Sequence, residues 1–152
     1  PKIYLILWFA CVAISALHIT FFQELFSGVA SDESTSNYLS IGEDGYYSGF
    51  RIDFILYSAA PVFLGYYCMR RGYKSSNYNF MWCLYVLVNS VWMLCMYASF
   101  TNRIAYLSWL MLPIVLIYPY FDKAFIPHQY RELNKVAWGH LLFTLFMSFI
   151  YY

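Results

Sequence analysis

Charged side chains are scarce in this chain. Asp, Glu, Lys and Arg make up 11% of its 152 residues, whereas hydrophobic residues make up 62%. A soluble domain carries roughly 25% charged residues, because it must cover its surface with them. The formal net charge of +1 also gives no reason to expect a nucleic-acid partner. The composition therefore excludes an ordinary soluble protein and predicts an integral membrane protein in contact with the lipid bilayer.

Common catalytic and metal-binding motifs are missing as well. The sequence contains no Walker loop, HExxH, nucleophile elbow or dinucleotide fingerprint. Its cysteines lack CxxC spacing and lie in or beside apolar segments, which predicts packed hydrophobic side chains: Cys11, Cys68, Cys83 and Cys95. We expect no cofactor and no metal. Any reaction must then draw its energy from a substrate that is already activated.

Apolar residues form five long segments, at about 3–22, 52–69, 79–99, 104–120 and 136–152. Helices of this length cover about 25–32 Å, close to the hydrocarbon thickness of a bilayer. We therefore predict an all-α fold, a polytopic bundle of about five transmembrane helices that forms a single membrane domain over 1–152. The chain starts at Pro1 and stops within its last apolar segment, so we interpret it as part of a longer protein.

The distribution of basic residues predicts the topology, because cytoplasmic loops collect Lys and Arg. With loops 70–77 and 122–135 in the cytoplasm together with Lys2, seven of the nine Lys and Arg residues lie inside. The long loop 23–50, with its five acidic residues, then lies outside. The two exceptions are Arg51 and Arg103, each at the start of a predicted helix. Basic residues placed against this preference need another reason for their position.

Arg51 and Asp53 are candidate functional residues. On a helix, residues two apart point roughly 200° away from each other, so each needs its own partner. One interpretation is an ion pair between Asp53 and Arg103 that fixes helix packing. The other is that at least one arginine faces an outward-open cavity and binds an anionic head group, since a guanidinium grips phosphate with two bonds.

Two other candidate sites also have a structural alternative. His18 could act as a general base or be a neutral histidine bonded to a neighbouring helix. Glu43 and Asp44 could serve as an acid/base pair or simply form an acidic surface.

Three further patterns concern helix packing. Asn89 and Ser90, within the third segment, are typical of hydrogen bonds between membrane helices. Prolines are expected to kink their helices: Pro61, Pro113 and Pro119. Aromatic residues near segment ends predict interface belts: Trp8, Trp82, Trp109, Trp138 and Tyr151.

Two stretches carry a resemblance to a known family. They are 49–54 (GFRIDF), followed by Pro61, and 100–109 (FTNRIAYLSW), followed by Pro113 and the pair Tyr118-Pro119. Together they resemble the EpsG family over about residues 45–125. That family comprises bacterial inner-membrane proteins of exopolysaccharide and O-antigen clusters, similar in role to Wzy-type O-antigen polymerases.

The resemblance implies a glycosyltransferase-type enzyme of lipopolysaccharide or exopolysaccharide biosynthesis. It would polymerise undecaprenyl-diphosphate-linked oligosaccharide units at the periplasmic face, where loop 23–50 would lie. The implied catalytic residues are Arg51, Asp53 and Arg103, and the implied substrate-binding residues are Arg51, Arg103, Asn102 and Tyr106. A chain-length regulator and a flippase of the pathway would be partners. The alternatives are a lipid-linked oligosaccharide flippase or transporter, and a non-catalytic membrane subunit.

Overall fold

The fold is all-α, as predicted. The computed structural model describes residues 1–22, 24, 25, 49–98 and 101–151, excepting the side chains of 102, 150 and 151. Of these residues 80% are helical, and none of them lies in an extended strand. Most of the predicted periplasmic loop 23–50, including Glu43 and Asp44, lies outside the described residues.

Six helices follow one another along the described chain. They are α1 (Lys2–Ala16), α2 (Ile52–Arg70), α3 (Ser76–Leu94), α4 (Thr101–Trp109), α5 (Leu112–Asp122) and α6 (Gln129–Tyr151). Three predicted boundaries need correction. Helix α1 ends at Ala16 instead of 22, although Phe21 and Phe22 are helical again. Helix α3 ends at Leu94 instead of 99, and the last helix begins at Gln129 instead of 136.

The segment predicted at 104–120 is two helices, because the helix breaks at Leu110 and Met111. Pro113 is the second residue of α5 and has no N–H for the carbonyl four residues earlier, that of Trp109. Proline is tolerated in the first turn of a helix, where no such bond is needed. The predicted kink at Pro113 is therefore a full interruption.

Two helical segments of the described chain are long and apolar enough to cross a membrane. They are Ile52–Arg70, with mean hydropathy 1.3, and Arg103–Asp122, with mean hydropathy 1.7. Lys2–Ala16 is apolar but shorter. These segments support a membrane protein by length and composition.

Helices α1 and α2 end in the same hydrogen-bonded motif. After α1, the His18 N–H donates to the Ser15 carbonyl and the Ile19 N–H to the Ile14 carbonyl, the pattern of a Schellman cap. The residue in the left-handed position of this cap is His18, with φ of 58°. After α2 the corresponding position is Gly72. Glycine is the usual residue there, so histidine in α1 is the unusual choice.

The chain divides into two compact units. Unit 1 contains residues 1–51 and 86–109, and unit 2 contains 52–85 and 110–152. Helix α3 thus contributes its first half to unit 2 and its second half to unit 1.

Polar side chains link the helices of unit 1. The Trp8 indole N–H donates to Asn89 Oδ1 over 2.9 Å, and Asn89 Nδ2 donates to Ser108 Oγ over 3.2 Å. The Ser90 hydroxyl donates to the Val86 carbonyl of its own helix over 2.7 Å. The predicted bonds between helices are confirmed for Asn89, whereas the Ser90 bond lies within α3. The belt position predicted for Trp8 is wrong, because its side chain is buried and bonded inside the unit.

Unit 2 is held together by aromatic residues that bond to backbone carbonyls. Helices α2, α5 and α6 pack against one another. The Trp82 indole N–H lies 3.1 Å from the Val62 carbonyl, and the Tyr85 hydroxyl donates to the Ser58 carbonyl over 2.8 Å. Trp82 is 0% exposed, so its predicted belt position is also wrong. These bonds surround Pro61, where the helical bonding of α2 is interrupted.

A second proline, Pro119, lies inside α5. Having no N–H, it leaves the carbonyl four residues earlier, that of Val115, without its helical donor. The hydroxyl of Tyr78, from α3, donates to that carbonyl over 2.9 Å. A lipid environment offers no other donor, so a neighbouring helix must supply one.

Candidate functional site

The stretch around Arg51 is fastened to the turn that follows α3. The Gly49 N–H donates to the Met96 carbonyl over 3.1 Å, and the Arg51 N–H approaches Met96 Sδ to 3.3 Å. Ser15 Oγ lies 3.7 Å from the same sulfur, and the Tyr97 hydroxyl donates to the Ser15 carbonyl over 3.0 Å. We call these five residues the Met96 junction. It joins the end of α1, the end of α3 and the backbone that precedes α2.

Gly49 is required at this junction by its backbone. Its φ is +129°, a conformation that residues with a side chain rarely adopt. A Cβ added there would also lie 4.0 Å from Tyr97 Cε1, an ordinary contact distance. The backbone conformation, more than the space, selects glycine immediately before Phe50 and Arg51.

Arg103 lies close to the same turn. Helix α4 begins at Thr101, whose N–H donates to the Ala98 carbonyl and whose hydroxyl accepts from the Trp92 indole N–H, each over 3.1 Å. Arg103 is the third residue of α4 and is exposed. Arg51, at the Met96 junction, is half-buried. The two arginines therefore lie at the same end of unit 1, near the turn after α3.

This end of unit 1 carries two permanent positive charges. Guanidinium groups do not lose their proton in proteins. Glu24 is the one acidic residue that the structure describes in unit 1, and its carboxylate accepts from the Thr20 hydroxyl over 3.3 Å. A guanidinium group can present several N–H donors to an anion that has several oxygen acceptors.

His18 lies beside the Met96 junction. Its ring centroid is 4.1 Å from that of Tyr97, with the planes tilted by 41°. The side chain is exposed, and its left-handed backbone costs roughly 1–2 kcal/mol for a residue with a Cβ. The structure gives the His18 ring a contact with Tyr97, in the turn after α3. Both sequence interpretations, a bond to a neighbouring helix and a general-base role, stay predictions.

The remaining predicted site residues are not gathered at the junction by any described contact. Asp53 is half-buried in the first turn of α2, where a carboxylate also favours the positive end of the helix dipole. It belongs to unit 2, so its predicted pairing with Arg103 stays a prediction. Tyr106 is 55% exposed and packs its ring edge-on to Trp109 at 5.8 Å. The Asn102 backbone is helical, and its side chain lies outside the described residues.

Sequence reasoning missed the residues that build the junction. Ser15, Met96 and Tyr97 carry no motif, and a thioether is only a weak hydrogen-bond acceptor, so nothing marked Met96 in advance. The one sequence feature that could have indicated the junction is Gly49, immediately before Phe50 and Arg51. Within the described ranges there is no group of three or more His, Cys, Asp or Glu residues placed to hold a metal ion.

Comparison with protein-family models, with curated proteins and with solved structures gives no match to this chain. The resemblance to the EpsG family therefore stays a prediction from the two sequence stretches.

Proposed function

We propose that this chain belongs to a bacterial inner-membrane polymerase of O-antigen or exopolysaccharide biosynthesis, with about five membrane spans. It would join undecaprenyl-diphosphate-linked oligosaccharide units at the periplasmic face. The observation that carries the proposal is the Met96 junction, which fastens Arg51 at the same end of unit 1 as Arg103. Two arginines near one turn, which the proposed topology puts on the outer face, would suit a diphosphate.

The proposed reaction breaks the bond between the anomeric carbon of the growing chain and its lipid diphosphate. A hydroxyl oxygen of the next lipid-linked unit attacks that carbon and loses its proton, and undecaprenyl diphosphate leaves. Negative charge grows on the departing diphosphate, so fixed guanidinium groups stabilise the transition state more than the ground state. Arg51 and Arg103 would supply this charge, and Asp53 would orient an arginine or accept the proton.

The proposed topology puts loops 70–77 and 122–135 in the cytoplasm and loop 23–50 in the periplasm. It is tested with single cysteines, Ser40→Cys and Ser75→Cys, in a chain whose native cysteines are replaced by alanine. An impermeant thiol reagent should label position 40 in cells with a permeabilised outer membrane. Position 75 should be labelled only after lysis, and the reverse pattern would contradict the proposal.

The function is tested in a polymerase-null strain complemented with the full-length protein. We expect Arg51→Lys and Arg103→Lys to shorten or abolish the lipopolysaccharide ladder, because lysine keeps the charge and loses the two-bond fork. Arg131→Lys, an exposed change in unit 2, is the matched control and should keep a normal ladder. Normal ladders from both arginine variants, at normal protein levels, would remove these residues from the mechanism.

A strain that lacks this protein distinguishes a polymerase from a flippase. Loss of polymerisation leaves single oligosaccharide units on the cell surface, whereas loss of export leaves none. Single units in the null strain support the polymerase, and a bare surface would assign the arginines to transport instead.

A further inference from the structure

In unit 2, basic side chains collect at one end. The segments 70–74 and 122–135 contain six exposed cations: Arg70, Arg71, Lys74, Lys123, Arg131 and Lys135. We call this set the basic end. The same segments contain only two carboxylates, Asp122 and Glu132, which leaves an excess of four positive charges.

Specific hydrogen bonds hold the two segments of the basic end together. The Tyr73 hydroxyl donates to Asp122 Oδ2 over 2.7 Å, and its ring centroid lies 5.2 Å from that of Phe125. Burial and the neighbouring Asp122 carboxylate raise the pKa of Tyr73, so the phenol keeps its proton and remains a donor. The buried Tyr73 thus connects the loop after α2 to the end of α5.

Gln129 fixes the loop between α5 and α6. Its side-chain amide donates to the Tyr120 carbonyl over 2.7 Å and to the Lys123 carbonyl over 3.0 Å, and its Oε1 accepts from the Phe125 N–H over 3.0 Å. Lys123 is therefore carried by an ordered loop. A cationic surface built on fixed backbone loses less entropy when it binds a ligand than one on a loose loop.

Both carboxylates of the basic end already have partners. Asp122 accepts from Tyr73, and Glu132 pairs with Lys135 over 2.9 Å. That hydrogen bond also lowers the pKa of Glu132. In the segment 70–74, the Arg71 guanidinium donates to the Tyr67 hydroxyl over 3.0 Å and lies 5.1 Å from its ring centroid. The excess positive charge is thus spread over exposed side chains on both segments.

The position of the basic end along the helices identifies the kind of ligand. The two candidate membrane spans, Ile52–Arg70 and Arg103–Asp122, both end here. The cations therefore begin where the apolar segments stop, which is the depth of lipid head groups. We infer that the basic end binds the phosphate groups of anionic phospholipids of the surrounding bilayer. This inference rests on the membrane insertion proposed above and is independent of the polymerase reaction.

The test is a lipid titration of the full-length protein in neutral detergent micelles, with thermal stability as the readout. Phosphatidylglycerol should raise the unfolding temperature in a saturable way, and phosphatidylcholine should not. In Lys74→Gln/Lys123→Gln the apparent Kd for phosphatidylglycerol should rise roughly tenfold or more, because each cation near a lipid surface contributes a factor of about five. Lys74→Arg/Lys123→Arg keeps both charges and should behave as the unmodified protein.

Three results would overturn the inference. They are equal stabilisation by phosphatidylcholine, an unchanged Kd in the glutamine variant, and equal stabilisation by soluble glycerol phosphate, which would indicate a site for free phosphate. The assay contains no glycolipid and no acceptor sugar. A negative result here therefore leaves the ladder experiment unaffected, and a normal ladder with the arginine variants leaves this one unaffected.

Discussion

The two units use different ways to place polar bonds among apolar helices. In unit 1 the series from Trp8 through Asn89 to Ser108 links helices by bonds between side chains. In unit 2 Tyr78, Trp82 and Tyr85 donate instead to backbone carbonyls of neighbouring helices. At Pro119 the bond has a structural reason, since this proline leaves the Val115 carbonyl without its helical donor.

This difference shows how a membrane-type helix can contain proline. Each internal proline removes one helical donor and leaves a carbonyl to be satisfied. A tyrosine on a neighbouring helix can satisfy it, as Tyr78 does for the Val115 carbonyl. In unit 1, whose described helices contain no internal proline, the backbone needs no such help, and an asparagine can serve as the link between helices.

The largest expected effect is at Gly65 in unit 2. A Cβ there would lie 2.6 Å from Trp82 Nε1 and 2.8 Å from the Tyr78 hydroxyl oxygen, and hydrogen bonds fix both rings. Gly65→Ala should therefore lower the free energy of unfolding by about 3 kcal/mol, the cost of an overpacked core. Titration with a denaturing detergent in mixed micelles measures this change.

Gly139→Ala is the matched control for Gly65→Ala. No described atom lies within 4 Å of a Cβ at position 139 in α6, so alanine should stabilise the helix by about 0.5–1 kcal/mol. A loss of stability at both positions would mean that helix flexibility, and not the contact with Trp82, is what glycine provides.

The next effect tests whether Tyr78 replaces the helical donor that Pro119 lacks. Tyr78→Phe leaves the Val115 carbonyl without a donor, which should cost about 2 kcal/mol. In a Pro119→Ala background the new N–H at 119 can bond to Val115, so the same change should cost clearly less. Tyr85→Phe is the comparison and should cost less than Tyr78→Phe, because the Ser58 carbonyl keeps the Val62 N–H as its helical donor. A double-mutant cycle on unfolding free energies measures the coupling between Tyr78 and Pro119. Additive values would contradict the idea that Tyr78 replaces the missing donor.

A smaller effect is expected in unit 1. Asn89→Leu removes the acceptor of Trp8 and the donor to Ser108 and should cost about 1 kcal/mol, since hydrogen bonds between membrane helices average roughly 0.6 kcal/mol. Ser108 retains its bond to the Ala105 carbonyl over 2.9 Å, which limits the loss. The same detergent titration measures it, and a cost above that of Tyr78→Phe would reverse the comparison between the units.

The smallest effect concerns the two histidines with left-handed backbone, His18 in unit 1 and His128 in unit 2. Glycine relieves this strain, so His128→Gly should raise the free energy of unfolding by up to about 1 kcal/mol. His18→Gly should raise it less, because the ring contact with Tyr97 is lost. Equal gains would show that the contact contributes nothing to stability.

Composition and periodicity were enough to predict the all-α fold and the polar link at Asn89. They misplaced the end of α1, because residues 17–22 remain apolar after the cap at His18 has closed the helix. They also misplaced Trp8 and Trp82, because an aromatic residue near the end of a segment fits a belt or a core equally well. The Met96 junction could not be predicted, since it depends on long-range contacts between residues without a motif.

The break between α4 and α5 has a consequence for biogenesis. Pieces of nine and eleven residues are about 14 Å and 17 Å long, and neither can cross roughly 30 Å of hydrocarbon alone. In the proposed membrane they must enter the bilayer as one continuous segment and separate only when the surrounding helices pack. During insertion, Leu110 and Met111 would therefore lie at the centre of the span. A charge introduced there, as in Leu110→Asp, would oppose insertion of the segment before any folded structure exists.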